Sequence, residues 1–337
     1  MSKMGSINGE IDTYGFMRQS DFDYDSYETF MNKYLRILAK RLSKWEKLMK
    51  NKESVKRTRK VKRYIRKGIP SNFRTEVWMY ASFAQFNKEK FPNKYSEILA
   101  HPNLDKVVID SIELDIKRTY PDNIYFKELD DSLLKPLSNV LTAYASYNRN
   151  VGYCQGLNYI AGMLLLVTKD ESNTFWLLVQ LLDKFVPDFY TSRMLGLRVE
   201  CQVLDLLIKS SHPDLHEHFK VHNINIELFV SKWFICLFVD VLPVETVLRL
   251  WDCLFYEGSK ILLRAAFTLI IINKKNLLQS NEFTEICNLF KNIPLSKETL
   301  DCHYFLQCCF NVPKSFPMSK ILQLRDDASQ SLLSSVS

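Results

Sequence analysis

The sequence predicts an all-α protein built around a single large multi-helix domain. Apolar residues recur with a helical period from about residue 70 to residue 310, whereas runs of alternating apolar and polar residues are scarce. Only 9 of the 337 residues are glycine, less than half of what average usage of about 7% would give, and no repeat period is present. With 47% apolar residues, a chain of this length can bury a sizeable core.

The composition along the chain divides it into four segments. Residues 1–65 are an N-terminal extension that is acidic at first and then basic, with helical character in its basic part. Residues 66–260 hold the main domain, and 261–325 supply C-terminal helices that complete the helical fold. Residues 326–337 are rich in serine, so we expect a frayed tail there.

The helices of the main domain follow from the apolar spacing. Pro70 is well placed in the first turn of one helix, because proline loses no intrahelical hydrogen bond there. The spacing predicts further helices over 107–118, 131–147, 153–168, 172–184, 197–210, 225–240, 244–256, 260–278, 283–291 and 297–310.

The helix predicted over 107–118 carries the first candidate functional side chain. Three isoleucines lie along one side of it, which leaves Asp115 and Arg118 as an i, i+3 pair on another side. An arginine at a helix end brings a permanent planar charge that can stabilise the oxygens of a transferring phosphoryl group. The alternative is an ordinary surface ion pair, which contributes ~0 to 1 kcal/mol.

The helix predicted over 153–168 carries the second candidate, Gln155. The apolar stripe of this helix leaves Gln155 on roughly the opposite side, and Gly152 and Gly156 bracket it without side chains of their own. A glutamine can orient a water molecule, because its amide both donates and accepts hydrogen bonds. The alternative is a glutamine that caps a neighbouring helix or lies in a polar pocket.

The glycines exclude the usual phosphate-binding loops. Neither GxxxxGK[ST] nor GxGxxG can be written from the nine glycines of this sequence. If Arg118 acts on a transferring phosphoryl group, the nucleotide that carries this group must therefore be bound by a partner. We expect the chain to need no cofactor of its own.

Residues 40–67 form a basic segment, with fourteen lysines and arginines against two glutamates. Leu42, Trp45, Leu48 and Met49 recur at helical spacing within it, which predicts a short amphipathic helix with a basic face. Such a segment can contact an anionic membrane or an acidic partner. The alternative is a solvated helix and linker that packs its apolar edge on the main domain. No recognised nucleic-acid-binding module accompanies the charge, so we do not expect the protein to bind nucleic acid.

The remaining features favour a cytoplasmic protein. The first thirty residues are acidic and lack a signal-peptide core, no apolar run of 18 residues occurs, and the eight cysteines form no CxxC pair. Four histidines between 212 and 222 allow a metal site as an alternative, but the segment contains a proline and such clusters are often polar surface.

Four short motifs closely resemble those of the TBC domain, the catalytic domain of GTPase-activating proteins for Rab GTPases. The resemblance covers about residues 66–260. The motifs match the family patterns GIPxxxRxxxW, IxxDxxR and YxQG and a later RxWD, and they occur here as Gly68–Trp78, Ile112–Arg118, Tyr153–Gly156 and Arg249–Asp252. Leu157, where many members carry methionine, is a mild departure.

This resemblance implies an activator that acts on a partner's GTP hydrolysis and has no substrate pocket of its own. Arg118 is then an arginine finger and Gln155 a glutamine finger, both supplied in trans to a GTP-loaded Rab that carries the GTP and the magnesium. Asp115 supports Arg118, and Tyr153, Gly156 and Asn158 shape the surroundings of Gln155. Residues with structural roles in the motifs are Arg74, Trp78, Arg249, Trp251 and Asp252.

Two other interpretations remain open from the sequence. One is a catalytically weak scaffold that binds Rab. The other is an adaptor that associates peripherally with endomembranes through residues 40–67.

Overall fold

A computed structural model of the protein describes residues 11–18, 23–50, 56–127 and 132–334. Regular structure in these ranges is helical apart from two isolated antiparallel bridges, which join Ile11 to Met17 and Phe16 to Asn123. The predicted all-α fold class is therefore confirmed. In the described ranges, no helix is both long enough and apolar enough to cross a membrane.

The α-helices are, in chain order, α1 (Tyr24–Lys50), α2 (Arg59–Lys67), α3 (Ser71–Ala81), α4 (Ala84–Lys90), α5 (Lys94–Ala100), α6 (Lys106–Lys117), α7 (Leu134–Tyr147), α8 (Leu157–Thr168), α9 (Glu171–Gln180), α10 (Leu195–Ser211), α11 (Pro213–Val221), α12 (Glu227–Ile235), α13 (Val244–Glu257), α14 (Lys260–Ile272), α15 (Lys274–Gln279), α16 (Phe283–Asn292), α17 (Lys297–Leu300), α18 (Cys302–Asn311) and α19 (Met318–Ser334). Shorter turns of helix lie at Ile124–Phe126, Leu181–Phe185 and Ile293–Leu295.

The helices belong to two compact units. Unit 1 comprises the described residues of Met1–Val55 and Pro70–Gln180, and unit 2 those of Lys56–Ile69 and Leu181–Ser337. In unit 1, α9 packs on α4, α7 and α8, and α6 packs on α7 and α8. In unit 2, α10 packs on α12, α14 and α19, and α13 packs on α2, α14 and α18.

These units do not follow the four segments predicted from the sequence. The basic segment is divided between them, with its α1 part in unit 1 and its α2 part in unit 2. The boundaries proposed for the main domain, 66–260, stay a prediction.

Several predicted helix boundaries were wrong because the backbone leaves helical geometry earlier than the apolar pattern suggests. The helix predicted over 225–240 ends at Ile235, since Leu237, Phe238 and Asp240 adopt left-handed backbone angles. The helix predicted over 260–278 breaks at Asn273. The one predicted over 297–310 restarts at Asp301, whose carboxylate caps α18 by accepting from two backbone amides.

The frayed tail predicted over 326–337 was also wrong within the described residues. Helix α19 continues to Ser334 and packs on α10, with Ile321 and Ala328 both buried. Arg325 of α19 forms an ion pair with the buried Glu200 of α10, with Nε and Oε1 2.5 Å apart. Buried apolar contacts and this ion pair hold a segment whose serine content alone favours fraying.

Candidate functional site

The candidate site in unit 1 is built around the C-terminal end of α6. The buried side of this helix is set by Ile112 and Ile116, and the helix ends at Lys117. Arg118 follows as the capping residue, and its backbone N–H donates to the carbonyl of Asp115. The Arg118 side chain is 56% exposed. The guanidinium of Arg118 is therefore accessible to solvent, while its backbone is fixed at the end of α6.

Asp115 joins the two motifs found in the sequence. Its side chain is buried, and its Oδ1 accepts from Nη2 of Arg118 at 2.5 Å. Its Oδ2 accepts from the hydroxyl of Tyr153 at 2.6 Å, across 38 positions of sequence. One buried carboxylate therefore orients the arginine and anchors the segment that carries Gln155.

The environment of Tyr153 keeps its hydroxyl in the donating form. Burial raises the pKa of Tyr153, and the hydrogen bond to Asp115 and the charge of that carboxylate raise it further. The adjacent Cys154 thiol also has a raised pKa, first through burial and then through the charge of Asp115. A protonated Tyr153 is the state that can donate to Asp115.

Asn158 provides a second connection between the motifs from the first turn of α8. This side chain is fully buried, and its Oδ1 accepts from the backbone N–H of Gly156 at 3.1 Å. Its Nδ2 donates to Oγ1 of Thr119 at 2.8 Å, and Thr119 in turn donates to the carbonyl of Asp115 at 2.7 Å. The turn before α8 is thus hydrogen-bonded to the end of α6.

Two residues of this network were not predicted. Thr119 is buried between Asn158 and α6, and the hydroxyl of Tyr159 donates to the carbonyl of Arg118 at 3.4 Å. A threonine after a helix end and a tyrosine on a helix face give no sequence signal by themselves. Their roles become visible only when α6 and α8 are in contact.

The sequence predicts Gln155 on a helix, but in the structure Gln155 lies in the turn before α8. Helix α8 begins at Leu157, and the predicted start at residue 153 was wrong because Gly156 has a φ of +106°. No atom lies within 4 Å of the position a Gly156 Cβ would take, so the backbone angle is what favours glycine there. Gln155 is exposed, and no other residue in the described part of the chain hydrogen-bonds to its side-chain amide.

This arrangement suits contact with an anionic partner. The guanidinium of Arg118 has five N–H donors, and a single nitrogen serves Asp115. The Gln155 amide is exposed on the turn that Tyr153 and Asn158 hold against α6. Together the two side chains offer a charged donor and a group that can orient water.

Arg74 and Trp78 lie on α3, away from solvent. Trp78 is completely buried, as expected for a residue that anchors packing. Arg74 is 1% exposed, and its Nη1 donates to the hydroxyl of Tyr14 at 2.5 Å.

The RxWD motif organises unit 2 from α13. Arg249, Trp251 and Asp252 are all buried there. Arg249 donates from Nη2 to the carbonyl of Arg66 at 2.9 Å, and Trp251 donates from its indole to the carbonyl of Leu237 at 3.0 Å. These bonds satisfy backbone groups at the end of α2 and in the turns after α12.

Asp252 fixes the start of the first motif. Its Oδ2 accepts from the backbone N–H of Ile69 at 3.1 Å. A Cβ on Gly68 would lie 2.6 Å from Nε of Arg249, and Gly68 has a φ of +112°. Both the angle and the close approach require glycine at position 68, where the end of α2 meets Arg249 of α13.

The basic segment is packed as well as charged. In α1, Trp45 and Leu48 are buried, whereas Leu42 is exposed. In α2, Val61 and Ile65 are buried while Arg59, Lys60 and Arg63 are exposed. The amphipathic helix predicted around Leu42–Met49 is therefore confirmed in α1 by the buried Trp45 and Leu48, although Leu42 is exposed. The amphipathic character of α2 was not predicted.

The histidine cluster has partners other than a metal. His216 lies 3.3 Å from a carboxylate oxygen of Asp205, and His218 lies 3.0 Å from the carbonyl of Ser280. Burial and the charge of Lys274 lower the pKa of His212. Over the residues that the structure describes, no group of three or more His, Cys, Asp or Glu side chains could hold a metal ion.

Comparisons with known proteins agree with the motifs. Residues 71–278 match the Rab-GTPase-TBC domain family. The chain is 44% identical to growth hormone-regulated TBC protein 1 of Xenopus tropicalis over 325 residues, which cover 96% of this chain and 95% of that one. It is 43% identical to the human protein of the same name over 327 residues, which cover 96% of each chain.

A solved structure shares the fold. The Chlamydomonas flagellar RabGAP TBC domain superposes with a TM-score of 0.76 at 30% sequence identity, covering 89% of this chain and 99% of that one. The matched region contains both α6 and the turn before α8, where the candidate site lies. The chain therefore belongs to the Rab-GTPase-TBC domain family.

Proposed function

We propose that the protein activates GTP hydrolysis by a Rab-family GTPase, with Arg118 and Gln155 inserted in trans into the nucleotide site of the partner. Arg118 neutralises charge that develops on the transferring phosphoryl group, and Gln155 positions the attacking water. Phosphoryl transfer depends mainly on positioning and electrostatic stabilisation, which these two side chains can supply. GTP and magnesium belong to the Rab, and the chain contributes no cofactor.

The observation that carries this proposal is the shared carboxylate of Asp115. A surface ion pair would need only Arg118 and Asp115, but here the same carboxylate also accepts from Tyr153, two residues before Gln155. Side chains that are already held in position stabilise a transition state more than mobile ones do, because they need no reorganisation during the reaction. Asp115, Tyr153, Gly156 and Asn158 act as positioning residues in this proposal.

The test is single-turnover GTP hydrolysis with a panel of Rab proteins at saturating activator. The wild-type protein should accelerate at least one Rab, and Arg118→Ala should not. Lys117→Ala is the matched control, because Lys117 is the neighbouring exposed cation and takes no part in the Asp115 network. Stimulation that survives Arg118→Ala but is lost in Lys117→Ala would contradict the assignment of the finger.

The same assay separates the alternatives. A scaffold would bind GTP-loaded Rab without accelerating hydrolysis by any member of the panel. Peripheral contact with an anionic membrane through residues 40–67 is a second, compatible proposal for a cytoplasmic protein, supported by the exposed cations on α2. Salt-sensitive binding to anionic vesicles without any Rab would favour an adaptor role.

A further inference from the structure

A short turn near the N-terminus packs on the stretch of chain that follows Arg118. Residues 11–17 belong to unit 1 and lie well before residues 71–278, which match the family. Oδ1 of Asp12 accepts from the backbone N–H groups of Tyr14 and Phe16 at 2.8 and 2.9 Å. This stretch therefore has a defined local structure, and we call residues 11–17 the N-terminal turn.

Hydrogen bonds join the N-terminal turn to residues 118–126, which we call the finger segment. Three of these bonds, each 2.9 Å long, run from the backbone N–H of Met17 to the carbonyl of Asp122, from the backbone N–H of Ile124 to the carbonyl of Gly15, and from Nδ2 of Asn123 to the carbonyl of Tyr14. Asn123 is fully buried, so this amide has a protein partner where water is excluded. The N-terminal turn thus covers the finger segment as a bonded neighbour.

An aromatic contact adds to these bonds at Tyr120. The ring of Phe16 meets the ring of Tyr120 edge to face, with centroids 5.0 Å apart. Tyr120 is buried and has a left-handed φ of +50°, which is unfavourable for a tyrosine and persists only when its surroundings hold it. Its ring also contacts Phe126 and Tyr159, with centroids 5.3 and 5.4 Å away. Phe16 is therefore part of the packing that holds Tyr120 in this conformation.

Tyr120 lies two residues after Arg118 and is connected to its backbone through Tyr159. The hydroxyl of Tyr120 donates to the carbonyl of Tyr159 at 2.7 Å, and the hydroxyl of Tyr159 donates to the carbonyl of Arg118 at 3.4 Å. Asp115 holds the guanidinium from the other side. The direction of the Arg118 side chain therefore depends both on Asp115 and on the backbone that the N-terminal turn covers.

The N-terminal turn is itself anchored in unit 1 at two further points. The hydroxyl of Tyr14 accepts from Nη1 of the buried Arg74 on α3 at 2.5 Å. Gly15 has a φ of +89°, and a Cβ there would lie 2.6 Å from Cδ2 of Tyr125. Both the backbone angle and the close approach require glycine at this position.

Building on the proposed role of Arg118 in GTPase activation, we propose that the N-terminal turn positions the arginine finger. Tyr14, Gly15 and Phe16 act through the finger segment and are positioning residues. Misplacing a reacting group by about 1 Å can cost on the order of 10²-fold in rate, so support of the backbone beside a finger matters for catalysis. The region matched by the family model lacks this support, because residues 11–17 lie outside it.

The experiment uses the full chain and single-turnover GTP hydrolysis over a range of activator concentrations. Phe16→Ala should lower the maximal rate about tenfold and change the concentration for half-maximal stimulation less than about twofold, because Arg118 acts in the transition state more than in binding. Phe16→Tyr keeps a ring against Tyr120 and should stay within about twofold of the wild type. A purely structural role would lower the amount of folded protein without this separation of rate from binding.

Phe91→Ala is the matched control. Phe91 also lies in unit 1, and its ring stacks on Trp176 with centroids 6.4 Å apart, so the variant likewise removes an aromatic contact. This contact does not involve the finger segment. Phe91→Ala should leave the maximal rate per folded molecule within about twofold of the wild type.

Hydrogen exchange without any Rab gives a readout that does not depend on activity. Backbone amides of residues 118–126 should exchange about tenfold faster in Phe16→Ala than in the wild type, and should be unchanged in Phe91→Ala. Gly15→Ala should have the same effect as Phe16→Ala, since the new Cβ displaces the N-terminal turn from Tyr125, and it replaces Phe16→Ala if that variant fails to fold.

The two measurements separate failure of this proposal from failure of the proposed function. If the wild-type chain stimulates no Rab, GTPase activation is refuted, and the exchange of residues 118–126 still decides whether the N-terminal turn holds the finger segment. Unchanged exchange in both variants would overturn the proposal. A full maximal rate in Phe16→Ala, with stimulation lost in Arg118→Ala, would also overturn it while leaving the finger assignment intact.

Discussion

At the scale of single residues, Asp115 determines how the candidate site is arranged. Its two oxygens accept from Arg118 and from Tyr153, so the arginine and the glutamine turn are positioned from one buried point. Both Arg118 and Gln155 remain exposed, which is what a group that acts on another protein's substrate requires. Loss of either exposed side chain should therefore affect activity more than folding.

The first prediction concerns Arg118. Arg118→Lys keeps a positive charge beside Asp115 but loses the planar set of donors, so it should lose most of the acceleration of GTP hydrolysis, on the order of 10³-fold. Because the side chain is 56% exposed, the midpoint of thermal unfolding should hardly change. Single-turnover hydrolysis and a thermal melt test both points. A large loss of stability with full activity per folded molecule would make Arg118 a structural residue.

The second prediction concerns Gln155, and follows from the proposal that the water-orienting amide comes from this protein. A Rab whose own catalytic glutamine is changed to leucine should still be stimulated substantially by the wild-type chain. Gln155→Ala should lose stimulation with either Rab, measured at saturating activator so that weak binding is not mistaken for lost chemistry. If the leucine Rab binds normally and is never stimulated, Arg118 acts together with the Rab's own glutamine.

At the scale of elements, contacts remote in sequence determine where helices begin and end. The junction of α2 with α13 is close because Gly68 has no side chain, and α19 is ordered because it packs on α10. Neither contact follows from helical periodicity, which describes only the face of a helix and not its neighbour.

The third prediction tests the close approach at Gly68. Gly68→Ala should lower the free energy of unfolding by about 2–4 kcal/mol, since it adds both a clash with Arg249 and a left-handed backbone penalty. Gly258→Ala is the matched control: Gly258 also has a positive φ, of +85°, but nothing lies within 4 Å of its Cβ position. It should cost only about 1–2 kcal/mol. Urea unfolding measures both changes. If Gly68→Ala and Gly258→Ala lower the free energy of unfolding equally, the Arg249 side chain moves away from the new Cβ without an energetic cost.

The fourth prediction tests the order of α19. The side chain of Ala328 is only 1% exposed. Ala328→Glu would therefore bury an unpaired charge, and it should lower the free energy of unfolding by about 3 kcal/mol or more. Gln330→Glu, two residues further along the same helix and exposed, should stay within about 0.5 kcal/mol of the wild type. If neither substitution changes the free energy of unfolding, residues 326–334 are not packed on α10, and the frayed tail predicted from the sequence is correct.

At the scale of the whole molecule, we expect the free energy of unfolding to depend on pH through the carboxyl group of Glu257. Burial by itself would raise the pKa of Glu257, but its hydrogen bonds and ion pairs with Arg66 and Lys62 outweigh burial and hold the pKa below its ordinary value of 4.5. The carboxylate therefore contributes stability above that value, and the contribution is lost as the pH falls through the lowered pKa.

The fifth prediction follows from this sign. Glu257→Gln should be less stable than the wild type at pH 7, because Arg66, Lys62 and Lys260 lose their shared carboxylate. The difference in the free energy of unfolding should shrink below about pH 4.5, as the wild-type carboxyl becomes protonated and resembles the amide. Urea unfolding of both proteins between pH 7 and pH 3 measures it. A constant difference would show that Glu257 acts through packing alone.

The sequence by itself determined the fold class, the motifs, and Arg118 and Gln155 as exposed candidates, because helical periodicity and motif spacing are local properties of the chain. It predicted a helix through Gln155 and a frayed tail, both wrong, because a left-handed glycine and a remote packing partner override local propensity.

Only the tertiary structure decided which residues share a partner. The carboxylate of Asp115 accepts from Tyr153, Asp252 accepts from Ile69, and Lys260 joins the cations of α2 around Glu257. Each pairing joins positions that lie far apart in the chain, and hydrogen bonds and ion pairs of this kind depend on distances that the packing of helices sets.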